Sequence, residues 1–245
     1  MKKRKLLLIA VMIVLIGAVF YLYNGFNGNP FSKYLAKQEL KSYLKETYPD
    51  KEFTVSDGFY NFKDSGYVFT AVEIGSTDED GNVFEYEFTV TGFMNPKVSR
   101  DGIYEANLDH DLASRLNDQI VEQLSPLLKD KVETFYHMEC YIEVLKGKYP
   151  DDVKWRKDLE LEKPIDFFIQ IDSTEQSAEE FFKASQTIQK IIDEEGYDYE
   201  AIMINGIMFE EEKEHEDYFL KYSIAADKGE TFKKKDLEKH NEDMY

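Results

Sequence analysis

The sequence contains 245 residues with a formal net charge of −19 at pH 7, and 15% of its residues are aromatic. The first five residues carry four positive charges, so the rest of the chain carries −23. The acidic balance argues against nucleic acid as a partner, because phosphates would be repelled. The aromatic content argues against a disordered stalk and favours folded domains.

The N-terminus predicts a membrane anchor. Residues 1–5 form a basic tail, and residues 6–23 contain no charged side chain. A helix of that length rises about 27 Å, close to the ~30 Å hydrocarbon core of a bilayer. We therefore expect contact with the lipid bilayer through residues 6–23, in a single-pass protein of the cell membrane. Basic flanks stay in the cytoplasm, which predicts a cytoplasmic N-terminus and an extracytoplasmic body. A cleaved signal peptide is the alternative, but residues 21–28 lack an Ala-x-Ala-like site.

The remaining chain is predicted to have an α+β fold, with two small antiparallel-sheet units and helices packed on the sheets. Grouped rather than alternating elements favour this class over doubly wound α/β. We place a linker rich in Gly and Asn at residues 24–30. An N-terminal α+β domain follows at 31–95, a C-terminal α+β domain at 96–226, and a charged tail that is expected to fray at 227–245.

The N-terminal domain is predicted to contain one helix and a strand meander. Ser32 is the expected helix cap, and Pro49 ends the helix. Asp80-Gly81 predicts a hairpin turn between the last two strands. The pattern breaks at residues 95–102. The expected strands are Glu52–Val55, Phe59–Phe62, Tyr67–Ile74 and Val83–Phe93.

The C-terminal domain is predicted to contain two helices and four strands. The first helix spans His110–Ser125, and Pro126 ends or kinks it. The second begins after Ser173 or Thr174 and ends near Glu195, before Gly196. The expected strands are Phe135–Leu145, Ile165–Ile171, Tyr199–Phe209 as a central strand, and Tyr218–Ile224 as its hairpin partner.

Two acidic segments could hold a cation. In the first, Ser76, Asp78, Asp80 and Glu87 would occupy positions one, three, five and twelve of a calcium loop. The serine at position one and the flanking strands favour an ordinary acidic hairpin instead. The second segment, Glu210 to Asp217, contains six acids and His215, and it is interpreted as a solvated loop with weak cation binding as the alternative.

Two further positions could carry chemistry. Asp109 beside His110 and Asp111 is more simply a helix cap than a catalytic or metal group. Cys140 is the single cysteine, so an intramolecular disulfide is excluded. Its place on the apolar side of a strand predicts a buried, inert thiol, with His137 on the opposite face. Since common catalytic motifs do not occur, we assign no catalytic, cofactor-binding or metal-ligating residue and expect no cofactor.

These features predict a membrane-anchored, non-enzymatic binding or interaction module. The alternative is an envelope hydrolase or redox protein with an unrecognised site. The expected partner is a cationic protein or envelope component, attracted by exposed Glu85, Glu87, Glu139 and Glu143 together with the 210–217 loop. The simpler interpretation of these acids is that they keep the body soluble.

Three segments resemble one known family. Residues 26–37 (FNGNPFSKYLAK), 43–53 (YLKETYPDKEF) and 58–63 (GFYNFK) are similar to the YfjL-like family of single-span proteins from Gram-positive bacteria. The likeness is clearest over residues 1–75. The resemblance implies a membrane location and a layout of N- and C-terminal domains. It implies no activity and no site residues.

Overall fold

The computed structural model describes residues 2–77, 80–209 and 218–240. The chain divides into two compact units, Met1–Asn107 and Leu108–Tyr245. This division lies twelve residues after the sequence-based boundary between residues 95 and 96. The predicted α+β class is confirmed.

The helices and strands are as follows. The helices are α1 (Lys2–Asn27), α2 (Pro30–Thr47), α3 (Gly102–Ala106), α4 (His110–Lys131) and α5 (Ala178–Glu195). The strands are β1 (Phe53–Val55), β2 (Phe59–Asn61), β3 (Gly66–Thr77), β4 (Val83–Thr91), β5 (Lys97–Asp101), β6 (Phe135–Tyr141), β7 (Ile165–Asp172), β8 (Tyr199–Phe209), β9 (Tyr218–Asp227) and β10 (Glu238–Lys239).

Helix α1 is the one helix among the described residues that is long and apolar enough to cross a membrane. Its described apolar side chains are exposed, as at Ile13 (65%) and Val14 (70%). The protein therefore offers this helix no apolar environment of its own. The helix also continues through Asn27, so most of the predicted linker at residues 24–30 is helical.

A tight turn joins α1 to α2. Gly28 has a positive φ of 64°, which glycine adopts without steric cost. Asn29 then caps α2, since its side chain accepts a hydrogen bond from the Ser32 amide, and Pro30 occupies the first turn. The prediction that Ser32 is the cap is therefore wrong. Asn29 supplies the capping oxygen three residues earlier, and the Ser32 hydroxyl bonds Tyr67 instead.

The first unit is one antiparallel sheet with α2 packed on it. The strand order is β1-β3-β4-β5. Strand β2 pairs with the same edge of β3 as β1 does, nearer to the N-terminal end of β3. The Asp80-Gly81 turn joins β3 and β4, as predicted. The buried cluster combines the apolar stripe of α2 with inward side chains of β3 and β4: Ala36, Leu40, Leu44, Tyr67, Phe69, Ala71, Phe88, Val90 and Ile103.

Asp101 connects α2, β5 and α3 in this unit. Its Oδ2 accepts hydrogen bonds from the hydroxyls of Tyr43 and Tyr48, each at 2.7 Å. Its Oδ1 accepts from the backbone amides of Ile103 and Tyr104 at 2.9 and 3.0 Å. One carboxylate thus caps α3 and ties the two tyrosines of α2's C-terminal end to the sheet.

The second unit is a mixed sheet with α4 and α5 packed on one face. The strand order is β10-β9-β8-β7-β6, which makes β8 the central strand, as predicted. Strands β7 and β8 are parallel, with α5 as the crossover, so the expectation of a wholly antiparallel sheet is wrong here. The buried cluster unites the stripes of both helices with one face of the strands.

Helix α4 runs through Pro126 to Lys131, so of the two predicted effects of Pro126, an end or a kink, the first is wrong. Leu124 and Leu128 are fully buried on either side of the proline. Because the apolar stripe continues, packing of the last turn offsets the missing N–H.

Helix α5 begins later than predicted. Ser177 is the cap and forms a reciprocal capping box with Glu180, whereas Ser173 and Thr174 lie in the preceding loop. Gly196 ends the helix in the left-handed conformation, as predicted. The Lys221 ammonium of β9 fastens the preceding loop by donating to the carbonyls of Ser173, Thr174 and Gln176 at 2.8–3.0 Å.

Residues 227–240 of the predicted charged tail pack and pair with the second sheet, so the expectation that they fray is wrong. Phe232 is only 3% exposed and belongs to the buried cluster. Strand β10 then pairs with β9, with Lys239 opposite Tyr222. Leu237 also packs against this cluster, and the Gln189 side chain bonds the backbone of Glu230 and Phe232.

Candidate binding surface on the second sheet

The strands of the second sheet have one covered face and one open face. In β7, Ile165, Phe167, Ile169 and Ile171 are buried against the helices. The alternate residues Asp166, Phe168, Gln170 and Asp172 point the other way and are exposed or half-exposed. Because side chains alternate along a strand, the same division holds for the neighbouring strands. We call this second surface the open face.

An apolar row crosses the middle of the open face. Phe168 is opposite Met203 of β8, and Met203 is opposite Ala225 of β9. Phe168 is 43% exposed and Met203 is 41% exposed. Large apolar side chains that neighbour one another across strands form a patch, which differs from single apolar residues scattered on a surface.

A polar row runs beside the apolar one. His137, Gln170, Asn205 and Ser223 are aligned across β6 to β9. The Ser223 hydroxyl lies 2.9 Å from Nε2 of His240. This row offers amide, hydroxyl and imidazole groups that can each donate or accept hydrogen bonds.

On its other side the apolar row meets acidic groups. Tyr141, Asp166, Ala201 and Asp227 are aligned across β6 to β9, and Glu139 lies opposite Phe168. Strands β6, β7 and β8 contain no lysine or arginine. On strands β6 to β8, acidic side chains therefore outnumber lysine and arginine around the apolar centre, and Lys221 of β9 is the basic residue of the fourth strand.

Glu143 does not belong to this exposed acidic set, so that part of the prediction is wrong. It is 5% exposed and accepts hydrogen bonds from the Lys163 ammonium at 2.8 Å and the Tyr141 hydroxyl at 3.1 Å. Strand β6 ends at Tyr141, so the strand alternation that predicted an exposed Glu143 no longer applies. Hydrogen bonding to Glu143 raises the pKa of Lys163.

Tyr136 also departs from the predicted alternation. Alternation along the strand would place it on the same side as Met138 and Cys140, but it is 46% exposed. The pairing of β6 with β7 is irregular between Phe135 and His137, and this extra residue turns the Tyr136 ring outward.

Cys140 is buried, as predicted, and lies on the covered face. Its thiol donates to the Asn117 side-chain oxygen of α4 at 2.6 Å. Burial, with a smaller effect from the Asp118 carboxylate, raises the pKa of the thiol to about 12. A thiol that stays protonated and has no access to solvent is unsuited to nucleophilic or redox chemistry. His137 lies on the opposite face, as predicted.

Asp109 caps α4 through a hydrogen bond from the Leu112 amide, as the simpler interpretation predicted. His110 and Asp111 are exposed at the first turn. Glu87 forms an ion pair with Arg100 of β5. Asp78 of the calcium-like segment, the Glu210–Asp217 loop and its His215 lie outside the described residues. Within the described ranges, no group of three or more His, Cys, Asp or Glu side chains is placed to hold a metal ion.

Four surface clefts have volumes between 280 and 550 Å³. None of the four is lined by a histidine or by Cys140. A catalytic site typically gathers such groups in a concave pocket. These clefts offer no such arrangement.

The open face has no distinct pattern in the amino-acid sequence. The polar residues between the apolar ones of β7 predicted that the strand has a second face, but they gave no information on whether a helix covers it. In β8, Met203 stands in a nearly continuous apolar run, which is typical of a strand buried on both faces. Only the packing of both helices on the same side leaves Met203 exposed.

The chain is thus an α+β protein with one candidate membrane-spanning helix and two small sheet units. Residues 3–102 match the YfjL-like, N-terminal domain, and residues 119–241 match the YfjL-like C-terminal domain. The chain belongs to the YfjL-like family. It is 35% identical over 196 residues to "Uncharacterized protein YfjL" of Bacillus subtilis (strain 168), covering 80% of this chain and 82% of that protein. No solved structure matches the chain.

Proposed function

We propose that this protein is a single-pass membrane protein whose body lies outside the cytoplasm and binds another envelope component through the open face. The observation that carries the binding role is the uncovered apolar row of Phe168 and Met203 at the centre of a sheet. The anchor rests on the exposed apolar side chains of α1.

The apolar row is better explained by a binding role than by a role in solubility. A sheet face that is open to water ordinarily carries polar residues. A solvated face would gain nothing from Phe168 and Met203, which expose apolar surface to water at a cost. A partner that covers them would recover that free energy.

The surrounding charges favour a cationic partner. Glu139, Asp166 and Asp227 lie around the row, and strands β6 to β8 bring no basic side chain to it. A basic protein or polymer would be attracted over about 8 Å at physiological ionic strength. Binding through this face should therefore weaken as salt is added.

The enzymatic alternative has less support. A hydrolase or redox protein needs a nucleophile, an acid–base pair or a cofactor site in a cleft. Cys140 is buried with a raised pKa, and His137 has one carboxylate neighbour, Glu139, at 3.2 Å on an open surface. These placements fit packing and solvation.

Cysteine labelling in intact cells tests the orientation. Asp151→Cys places a thiol at an exposed turn of the second unit, and Lys5→Cys places one at the opposite end of the anchor. A membrane-impermeant maleimide should label Asp151→Cys in intact cells and Lys5→Cys only after permeabilisation. The reverse pattern would contradict the proposed orientation, and the wild-type chain measures any background from Cys140.

Photocrosslinking tests the binding face. A photoreactive amino acid at Met203 should yield an adduct in the native cells, whereas one at exposed Lys190 of α5 should not. The double change Asp166→Asn with Asp227→Asn should reduce the adduct from position 203, most strongly at low salt. Equal adducts from positions 203 and 190 would contradict the binding role of the open face. An adduct from position 203 that does not change in the double variant would contradict the role of its acidic residues, which would then serve only solubility.

A further inference from the structure

Two turns of the first sheet lie at the end where α1 joins the body. The β2–β3 turn follows Asn61, which is paired with Gly66, and Gly66 is paired with Thr91 of β4. The β4–β5 turn follows directly after Thr91. Both turns, residues 62–65 and 92–96, therefore project from the same end of the sheet.

Large apolar side chains are exposed at this end. Phe62 of the first turn is 52% exposed, and Phe93 and Met94 of the second are 58% and 70% exposed. Phe26, in the last turn of α1, is 61% exposed, and its ring centroid lies 5.8 Å from that of Phe62. These four side chains belong to three segments, and we call them the apolar end.

Residues of α1 and of the two strand turns form one continuous surface at the apolar end. A cleft of about 530 Å³ is lined by the last turns of α1 and by both strand turns. Its lining includes Tyr21, Leu22 and Phe26 from the helix, with Ser65 and Phe93 from the turns. The apolar end is thus continuous with the apolar surface of α1.

The junction between α1 and α2 is hydrogen-bonded to this sheet. The Tyr67 hydroxyl accepts from the Asn29 amide at 2.7 Å and lies 2.8 Å from both the Asn29 carbonyl and the Ser32 hydroxyl. A Cβ added at Gly28 would stand 2.3 Å from that hydroxyl and 2.8 Å from the Tyr60 ring. The backbone that directly follows α1 is therefore packed closely against the sheet.

The length of α1 sets the depth of the apolar end. The apolar stretch ends at Tyr23, before Asn24, and Phe26 is three residues later, about 4.5 Å further along a helix. The interfacial layer on each side of the hydrocarbon is roughly 5–8 Å thick, from the difference between the core and the full bilayer. If residues 6–23 fill the hydrocarbon core, Phe26 and the neighbouring Phe62 lie within this layer, where aromatic side chains are enriched.

We infer that the first unit is seated on the bilayer, with Phe26, Phe62, Phe93 and Met94 inserted in the interfacial layer around the exit of α1. The inference rests on the proposed anchor. The apolar end contacts the lipid interface and not a protein partner, because it is continuous with the membrane-spanning surface of α1 and must lie beside the membrane. The opposite end of the sheet, at the β3–β4 hairpin, carries Asp80 and Glu85 and points away from the membrane.

Depth-dependent fluorescence quenching tests the seating in the full chain. The protein is reconstituted in phosphatidylcholine nanodiscs whose acyl chains carry bromine either near the headgroup or near the chain end. Phe93→Trp reports the apolar end, and Phe84→Trp is the matched control. Phe84 lies seven residues before Thr91, the last residue of β4, and is therefore about 23 Å along the strand from the turn that contains Phe93. Val14→Trp in the middle of α1 reports the anchor, and the parental protein gives the background of Trp155.

The expected result has three parts. Val14→Trp is quenched most by bromine near the chain end, Phe93→Trp loses most of its added emission with bromine near the headgroup, and Phe84→Trp is unaffected. Quenching of Val14→Trp without quenching of Phe93→Trp would overturn the seating and leave the anchor intact. An unquenched Val14→Trp would overturn the anchor and the seating with it. Equal quenching of Phe93→Trp and Phe84→Trp would mean that the sheet lies flat on the bilayer, which also overturns the end-on seating.

Discussion

The two sheets of this protein are stabilised in different ways. The second unit has a large buried cluster, in which two helices cover one face of five strands. The first unit has a much smaller cluster under one helix. In the first unit, carboxylate and tyrosine groups connect the elements, through Asp101 and Tyr67. A small core buries less apolar surface per residue, so fixed hydrogen bonds take a larger share of the stability.

The largest expected effect is in the second unit, at Phe167. This side chain is fully buried, with the rings of Tyr197 and Tyr199 at 5.7 and 6.2 Å. Phe167→Ala should lower the free energy of unfolding by about 3–5 kcal/mol, since a buried aromatic is replaced by a cavity. Urea unfolding of the full chain in detergent, followed by Trp155 fluorescence, measures this loss.

The adjacent residue provides the control. Phe168 is the same residue type on the open face, so Phe168→Ala should change the free energy of unfolding by no more than about 0.5 kcal/mol. Comparable losses at both positions would mean that the open face is covered in the isolated protein. That result would remove the basis of the proposed binding role.

In the first unit the largest expected effect is at Asp101. Asp101→Ala removes four hydrogen bonds and the cap of α3, and it should cost about 2–3 kcal/mol in this unit. Tyr43→Phe removes one of the four and should cost about 1 kcal/mol. Hydrogen exchange of peptides from residues 30–107 follows the first unit separately. A loss at Asp101 no greater than that at Tyr43 would show that the apolar cluster, not the carboxylate, connects these elements.

Much of this organisation is predictable from sequence, for identifiable reasons. The alternation of β7 and the apolar stripe of α2 indicate elements whose own periodicity matches their burial. Strand β5 was missed, because Lys97-Val-Ser-Arg-Asp contains a single apolar residue and its pairing with β4 defines it as a strand. A short polar strand that forms through pairing with another strand has no hydrophobic alternation from which it could be predicted.

The open face shows a second limit. The sequence of β7 indicates which residues share a face, but the position of α4 and α5 decides which face is buried. The parallel pairing of β7 with β8 has the same origin, because a helical connection between two strands allows either direction. Tertiary packing therefore determined the candidate binding surface, and residue patterns alone did not.

An alkaline titration distinguishes the two units further. Burial, followed by the hydrogen bond to Asp101, raises the pKa of Tyr43 to about 12 from an ordinary value of 10.0. The unfolded chain loses this proton near pH 10, while the folded state retains it. The associated stability is therefore present below pH 10 and is lost as the pH rises towards about 12.

Tyr43→Phe should make the stability of the first unit fall less steeply over this pH range. Tyr199 is the counterpart in the second unit, since burial and Asp193 raise its pKa to about 12. Tyr199→Phe should flatten the decline measured by Trp155 fluorescence and leave the exchange of the first unit unchanged. Crossed effects would show that the two units unfold together.

The smallest expected effects separate two glutamates of one segment. Strand alternation predicts that Glu139 and Glu143 are both exposed. In the structure Glu139 lies on the open face, whereas Glu143 is buried beside Lys163. Glu143→Gln weakens charge-assisted hydrogen bonds and should cost about 1 kcal/mol, less than a fully buried pair because Lys163 is half-exposed. Glu139→Gln should leave the free energy of unfolding within about 0.5 kcal/mol of the wild type and should instead reduce the adduct formed from position 203. Both variants remove one negative charge, so a general effect of net charge would change stability and adduct equally in the two. Opposite responses would assign Glu143 to the fold and Glu139 to recognition.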